Sequence, residues 1–249
     1  MIFGAVAEHV AIGPVTTTLD NRRFYELEVF DSWASREGLT DVEEQLVGRF
    51  LERQLRTLEA GTGGGRILHE LRDRGFSDLA GFDYVPGFIE AARARDAEHA
   101  IDFTVQDAVD LDYPDAAFDQ VLYVQQVLCF IEDADDRFSA MREARRVVRP
   151  GGTALFSFLC YEARATRPLY GAFNRYLGFL RRFRHRDVSL QYQPWLKTEA
   201  KPNLSALADR GPYVYWFTLE EALDDLDRVG FDITWAAVHG MLYVACRAR

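Results

Sequence analysis

The stretch Leu58-Glu59-Ala60-Gly61-Thr62-Gly63-Gly64-Gly65-Arg66 constrains this chain more than any other. An apolar strand ends in an acidic residue, breaks into alternating glycines and enters a helix directly. Such a turn builds a nucleotide cradle, because Gly61, Gly63 and Gly65 can take backbone conformations closed to other residues and their missing side chains let a ligand lie against the turn around Thr62. Glu59, at the carboxyl end of the strand, is placed to accept hydrogen bonds from a ligand amine or hydroxyl. The spacing is Gly-x-Gly-x-Gly. The dinucleotide fingerprint Gly-x-Gly-x-x-Gly would need glycine where Arg66 stands, which weakens a dehydrogenase reading.

Helix and strand signals alternate downstream. Ile67, Leu68 and Leu71 fall at helical spacing between Arg66 and Arg74, and Gly75 stands where a left-handed cap ends a helix. A short apolar strand, Leu79 to Asp83, follows. Asp83 lies about twenty residues beyond the glycine turn, the distance at which an acidic side chain on the second strand grips ribose hydroxyls, with Tyr84 next to it. A helix Gly87 to Arg95 leads to a strand Asp102 to Gln106 that runs into Asp107 and Ala108. A turn at Asp115 precedes the strand Phe118 to Gln125. The run Arg142 to Val148, closed by Arg149-Pro150-Gly151-Gly152, then feeds a fifth strand, Thr153 to Phe158.

These motifs, in this order from Leu55 to Phe158, resemble the class I S-adenosylmethionine-dependent methyltransferases. The resemblance implies an α/β fold with a doubly wound, mostly parallel seven-stranded sheet, an antiparallel terminal strand and S-adenosylmethionine as cofactor. In the family an acidic residue at the place of Asp107 bonds the adenine amino group, and the following backbone NH, here of Ala108, meets a ring nitrogen. The end of the fourth strand faces the methyl-donating sulfur, so the backbone around Gln125 and Gln126 is expected at the methionine portion. Their side chains either share that contact or satisfy loop amides. An N-terminal aromatic in related enzymes touches the methionine end, which makes Tyr25 and Trp33 candidates; packing onto the sheet is the alternative for Trp33. Asp119, at the start of its strand, belongs to the opposite edge and is read as structural.

The expected organisation is one domain over residues 1–249. Residues 1–54 form a helical cover in which Thr40-Asp41-Val42-Glu43 is a capping box opening a helix through about Leu55. Residues 55–159 form the cofactor-binding core, and 160–215 a lid insertion leaving the ligand edge after strand five. In residues 216–249, a second capping box at Thr218 to Glu221 opens a helix to Val229 and a Gly230 cap. A strand pair, Phe231 to Val238 and Leu242 to Arg247, follows, joined at His239-Gly240. The insertion carries many aromatics, Tyr161 and Trp195 among them, and ten Lys or Arg against four Asp or Glu, a net +6 in a chain whose formal total is −10. Its densest run, Arg181-Arg182-Phe183-Arg184-His185-Arg186, either attracts an anionic substrate or is a solvated helix face. His239, His185 and Tyr161 are the candidate bases for an acceptor that must lose a proton.

Composition excludes several classes. The N-terminus lacks the basic, apolar and small-residue pattern of a signal peptide, and no stretch approaches the roughly twenty apolar residues of a membrane span, so a cytoplasmic protein without membrane attachment is expected. Cys129, Cys160 and Cys246 show neither zinc spacing nor a disulfide framework, and the five histidines are scattered, so no metal is expected. The acidic balance, with pI ≈ 5.0, disfavours nucleic acid as partner. The strand end Tyr123-Val124-Gln125-Gln126 also lacks the Asn/Asp-Pro-Pro-aromatic motif used on exocyclic base amines. The reading is methyl transfer to an oxygen or nitrogen of a small molecule, aromatic or anionic. An RNA or protein methyltransferase using the basic lid, or a non-catalytic cofactor-binding partner, is the alternative. Nothing in the chain speaks to its oligomeric state.

Overall fold

The computed structural model describes residues 18–27, 29–160, 162, 163, 172 and 214–249. A seven-stranded sheet in the order β3-β2-β1-β4-β5-β7-β6 runs through them. β1 (Thr57–Ala60), β2 (Leu79–Asp83), β3 (Ile101–Val105), β4 (Phe118–Tyr123) and β5 (Val148–Phe158) are parallel. β7 (Leu242–Ala248) is antiparallel to both β5 and the edge strand β6 (Phe231–Val238). The doubly wound sheet with an antiparallel closing strand is thus the observed fold. Strand order reverses between β1 and β4, and the crevice outside their carboxyl ends is the switch point at which ligands bind in open α/β sheets.

Every residue of β1 and β2 is buried, as expected of parallel strands covered on both faces. Side chains of β4 alternate: Val121 and Tyr123 join one apolar layer, Leu122 and Val124 the other. The first layer is closed by α6 (Ala134–Val147) and α7 (Leu219–Arg228). The second is closed by α4 (Arg66–Asp73), through Ile67, Leu68 and Leu71, and by α5 (Pro86–Arg95), through Ile89 and Ala92.

Before the core, the aromatic run from Phe24 to Trp33 is divided between α1 (Thr18–Leu27) and α2 (Phe30–Ala34). The Thr40 capping box opens α3 (Asp41–Phe50), with Glu43 N donating to Thr40 Oγ1 at 3.3 Å and Thr40 N to Glu43 Oε2 at 2.7 Å. α3 stops at Phe50, short of Leu55, because the Gln120 side chain takes both the N–H and the carbonyl of Glu52 and draws the chain toward β4. The second capping box, Thr218 with Glu221, opens α7 as expected. Asp119 sits at the far edge, accepting from Arg56 N at 2.9 Å and pairing with Arg149. The three cysteines are buried and free. Among the described residues no helix is long and apolar enough to cross a membrane. Tyr161, His185, the run Arg181 to Arg186 and nearly all of 160–215 lie outside the described residues.

Candidate active site

A cleft of about 770 Å³, counted to its open mouth, lies at the switch point. Its floor comes from Gly61 and Gly63 in the turn after β1, from Asp83 and Tyr84 after β2, from Gln106, Asp107 and Ala108 after β3, and from Gln125 after β4. The same cleft is lined by Tyr25 and Trp33 of the cover, Phe88 of α5, and Val127, Phe130 and Ile131 in and after a 3₁₀ turn (Val127–Phe130).

Asp83 organises the floor. Its Oδ2 accepts from Gly63 N at 2.9 Å and its Oδ1 from Val85 N at 3.0 Å, tying the glycine turn to the entry of α5. Burial pushes its carboxyl up to about 6 against the pull of these bonds. With the Tyr84 N–H also bonded to it, the carboxylate still has acceptor capacity left for a ribose hydroxyl. Asp107 stands exposed at the rim, with Val109 N donating to its Oδ1 at 3.2 Å, and Ala108 behind it is buried.

Glu59 lies beneath this floor and does not reach the cleft wall. It is fully buried, its Oε2 accepting from Thr62 Oγ1 at 2.7 Å and its Oε1 from Gln125 Nε2 at 3.0 Å. Both carboxylate oxygens, expected to meet a ligand, are thus engaged by Thr62 and Gln125. Burial pushes its carboxyl up to about 8, with Thr62, Arg66 and Gln125 pulling the other way. Gln125 spends its NH₂ on this carboxyl, which leaves its amide oxygen as the acceptor it offers to the cleft. Gln126, beside it, has φ +59 and donates its N–H to Ser157 Oγ at 3.1 Å, so its backbone turns the chain rather than forming the wall. That turn brings Val127 against the first glycine: a Cβ on Gly61 (φ +59) would stand 2.6 Å from Val127 Cγ2.

Part of the lining is aromatic. The Tyr25 ring meets Phe130 edge-on at 5.5 Å and Phe88 at 6.4 Å, and Phe30 stacks on Phe88 at 5.1 Å. One turn before Tyr25, buried Asn21 donates from Nδ2 to Phe130 O at 2.7 Å and anchors α1 over the cleft. The Tyr25 phenol is held well above its usual range by burial, then by Tyr84 and Asp83.

Of the residues named from the sequence, Tyr25, Trp33, Gly61, Gly63, Asp83, Tyr84, Asp107, Ala108 and Gln125 line one cleft. Glu59, Thr62, Gly65 and Gln126 support it from behind. His239 sits in the β6–β7 turn at the ligand edge, its N–H donating to Met241 O at 2.8 Å, but it is exposed and outside the wall. Sequence reasoning passed over Phe88, Val127, Phe130 and Ile131, whose apolar patterning looks like ordinary core. It also passed over Arg66, noted only for not being glycine. Arg66 forms a buried bidentate pair with Glu43, both contacts at 2.7 Å, and donates to Gly38 O at 2.5 Å. The Glu43 carboxyl, which burial would raise, is brought below its usual range by Arg66.

The cleft fits S-adenosylmethionine. Asp83 and Asp107 bring carboxylate acceptors to the cleft, an acceptor set of the kind a nucleoside's hydroxyls and amine can use. The Gln125 oxygen suits an ammonium group, and Gly61 and Gly63 leave room for a ligand against the turn.

Residues 58–156 match the family model of a methyltransferase domain. The chain is 34% identical over 124 residues to malonyl-[acyl-carrier protein] O-methyltransferase of Serratia marcescens, covering 48% of this chain and 44% of that protein. It is 30% identical over 135 residues to 27-O-demethylrifamycin SV methyltransferase of Amycolatopsis mediterranei, covering 52% and 48%. The chain thus spans about half the length of these curated relatives. An S-adenosylmethionine-dependent methyltransferase structure from Methanosarcina mazei superposes with a TM-score of 0.65 at 17% identity, covering 84% of this chain and 98% of that one, a likeness of fold. The ordered motifs and the seven-stranded sheet agree with that match: the chain carries a methyltransferase domain over residues 58–156, on the fold of the class I S-adenosylmethionine-dependent methyltransferases.

Proposed function

We propose that this protein transfers the methyl group of S-adenosylmethionine to an oxygen or nitrogen nucleophile of a small molecule with an apolar, aromatic body. The observation that carries this reading is the mixed lining of one cleft, where the carboxylates of Asp83 and Asp107 and the Gln125 amide share the surface with the apolar and aromatic side chains of Tyr25, Trp33, Phe88, Val127, Phe130 and Ile131. The cofactor, when bound, supplies a methyl group already activated by the sulfonium charge. The chain's own work is therefore positioning and exclusion of water. Asp83 and Asp107 hold the nucleoside, Gln125 orients the methionine end, and the aromatic wall aligns the acceptor behind the methyl carbon. Oxygen is favoured over nitrogen as the nucleophile by the likeness to the malonyl-[acyl-carrier protein] O-methyltransferase and the 27-O-demethylrifamycin SV methyltransferase.

Calorimetric titration with S-adenosylmethionine, S-adenosylhomocysteine and NADH tests the cofactor. Saturable binding of the first two and none of NADH is expected; binding of NADH alone would overturn the reading. A screen of phenols, carboxylates and amines for the mass gain of a methyl group then tests the acceptor. Transfer confined to RNA or protein would overturn the small-molecule assignment.

A further inference from the structure

We propose that Arg95 is a positioning residue that latches the N-terminal cover onto the glycine turn, so that closing the cover and binding the cofactor favour each other. Arg95 is the last residue of α5, part of a run Arg93-Ala94-Arg95 that reads in sequence as a solvated helix end. Its guanidinium collects carbonyls from two separate pieces of chain. Nη1 donates to Gly64 O at 3.1 Å in the glycine turn, and to Arg36 O at 3.2 Å and Ala34 O at 3.5 Å in the cover, while Nη2 lies 3.5 Å from Glu37 Oε1. On the other side of the same arch, residues 34–38, Arg66 donates to Gly38 O. The arch is thus held by one arginine leaving the glycine turn and by another reaching in from α5.

The contact is close. A Cβ on Gly64 would stand 2.2 Å from Ala34 O, and Gly64 has no positive φ, so its missing side chain serves the approach of the arch and not the backbone conformation. Trp33, the residue before the arch, lines the cleft, and its carbonyl is the nearest atom to a Cβ built on Gly63, at 3.8 Å. Displacing the arch therefore moves a wall of the cleft and releases the turn that floors it. Two elements that order each other share a coupling free energy, and a ligand bound against one must tighten the other.

This inference rests on the cofactor reading above, and two arms keep their failures apart. In the ligand-free protein, amide hydrogen exchange over residues 33–38 is expected to quicken in Arg95→Ala and in Gly64→Ala, and not in Glu90→Ala, an exposed position on the same helix. In a titration with S-adenosylhomocysteine, both variants are expected to bind about tenfold more weakly than wild type, roughly 1.4 kcal/mol. Arg95→Lys, which keeps a donor for one carbonyl, should recover part of the loss, and melting temperatures should stay close to wild type. Unchanged exchange and affinity in Arg95→Ala and Gly64→Ala would overturn the latch. So would an affinity loss matched by a large fall in melting temperature with no rescue by lysine. Wild-type protein that fails to bind would instead overturn the cofactor assignment, while the exchange arm would still judge the latch.

Discussion

Replacing Glu59 with Gln removes a charge sealed beneath the glycine turn while keeping the size of the side chain and the place of its two hydrogen bonds. The carboxyl accepts from Thr62 and Gln125, and the Thr62 hydroxyl can rotate to accept from a new amide. Burial pushes the native carboxyl up to about 8, whereas its ordinary value is 4.5. Between those values the folded protein holds a proton that the unfolded chain has released. The contribution of Glu59 to stability is therefore fully present below pH 4.5 and is lost as pH rises through about 8. Linkage sets a slope of at most about 1.4 kcal/mol per pH unit for one proton. From pH 5 to 8 the wild type should thus lose roughly 2–4 kcal/mol relative to Glu59→Gln, the lower figure allowing for relaxation around the new charge. Urea unfolding of both proteins at several pH values measures this directly. Taking the difference removes the other titrating groups, including Asp83, whose burial-raised carboxyl acts with the same sign. Stability curves that run parallel within about 0.5 kcal/mol across this range would refute the argument, since they would mean that Glu59 is ionised in the fold at no cost.

Three further outcomes are expected. Glu43→Gln strands the buried Arg66 guanidinium, whose side chain is 4% exposed, and should cost about 3–5 kcal/mol, seen as a fall of roughly 10 °C in melting temperature. Because Arg66 holds the Glu43 carboxyl below its usual range, the contribution of Glu43 is present above that range and lost as pH falls, opposite in sign to Glu59. Gly61→Ala places a methyl group 2.6 Å from Val127 Cγ2 at a positive φ and should weaken S-adenosylhomocysteine binding at least about tenfold by calorimetry. His239→Ala, outside the cleft wall, should leave cofactor affinity unchanged, and the rate of methyl transfer in the same variant then decides whether the histidine serves as a base.

The core was legible because its signals are local. A strand buried on both faces must be apolar throughout, a helix over a sheet must repeat its apolar residues every three or four positions, and the capping boxes at Thr40 and Thr218 announce themselves within four residues. Asp83 and the glycines could be placed because topology fixes how far apart they fall in the chain. The end of α3 could not, since Gln120, 68 residues downstream of Glu52, ends that helix by taking its backbone. Glu59 was located at the correct strand end, but its contact with Gln125 was hidden for the same reason: it spans 66 residues. Arg66 and Arg95 carry no local mark at all, because a basic residue at a helix end looks the same whether it meets water or a carbonyl 28 or 59 residues away.

This asymmetry has a chemical consequence. The half of the cleft suited to the nucleoside is built at the ends of β1 to β4, inside the stretch that matches the methyltransferase domain. Of the apolar lining, Tyr25 and Trp33 lie before that stretch, and Phe88, Val127, Phe130 and Ile131 lie within it, on a helix and a turn away from the strand ends. A shared core therefore identifies the cofactor well and the acceptor poorly, as expected when one fold carries sites for many molecules. Acceptor choice in this protein should accordingly respond to substitutions at Phe130 and Ile131 with cofactor affinity little changed, whereas substitutions at Asp83 should act on the cofactor whatever the acceptor. The two halves meet at Tyr25, whose ring touches Phe130 on the acceptor side and lies within electrostatic reach of Asp83 on the nucleoside side, so its removal is the one change expected to be felt by both.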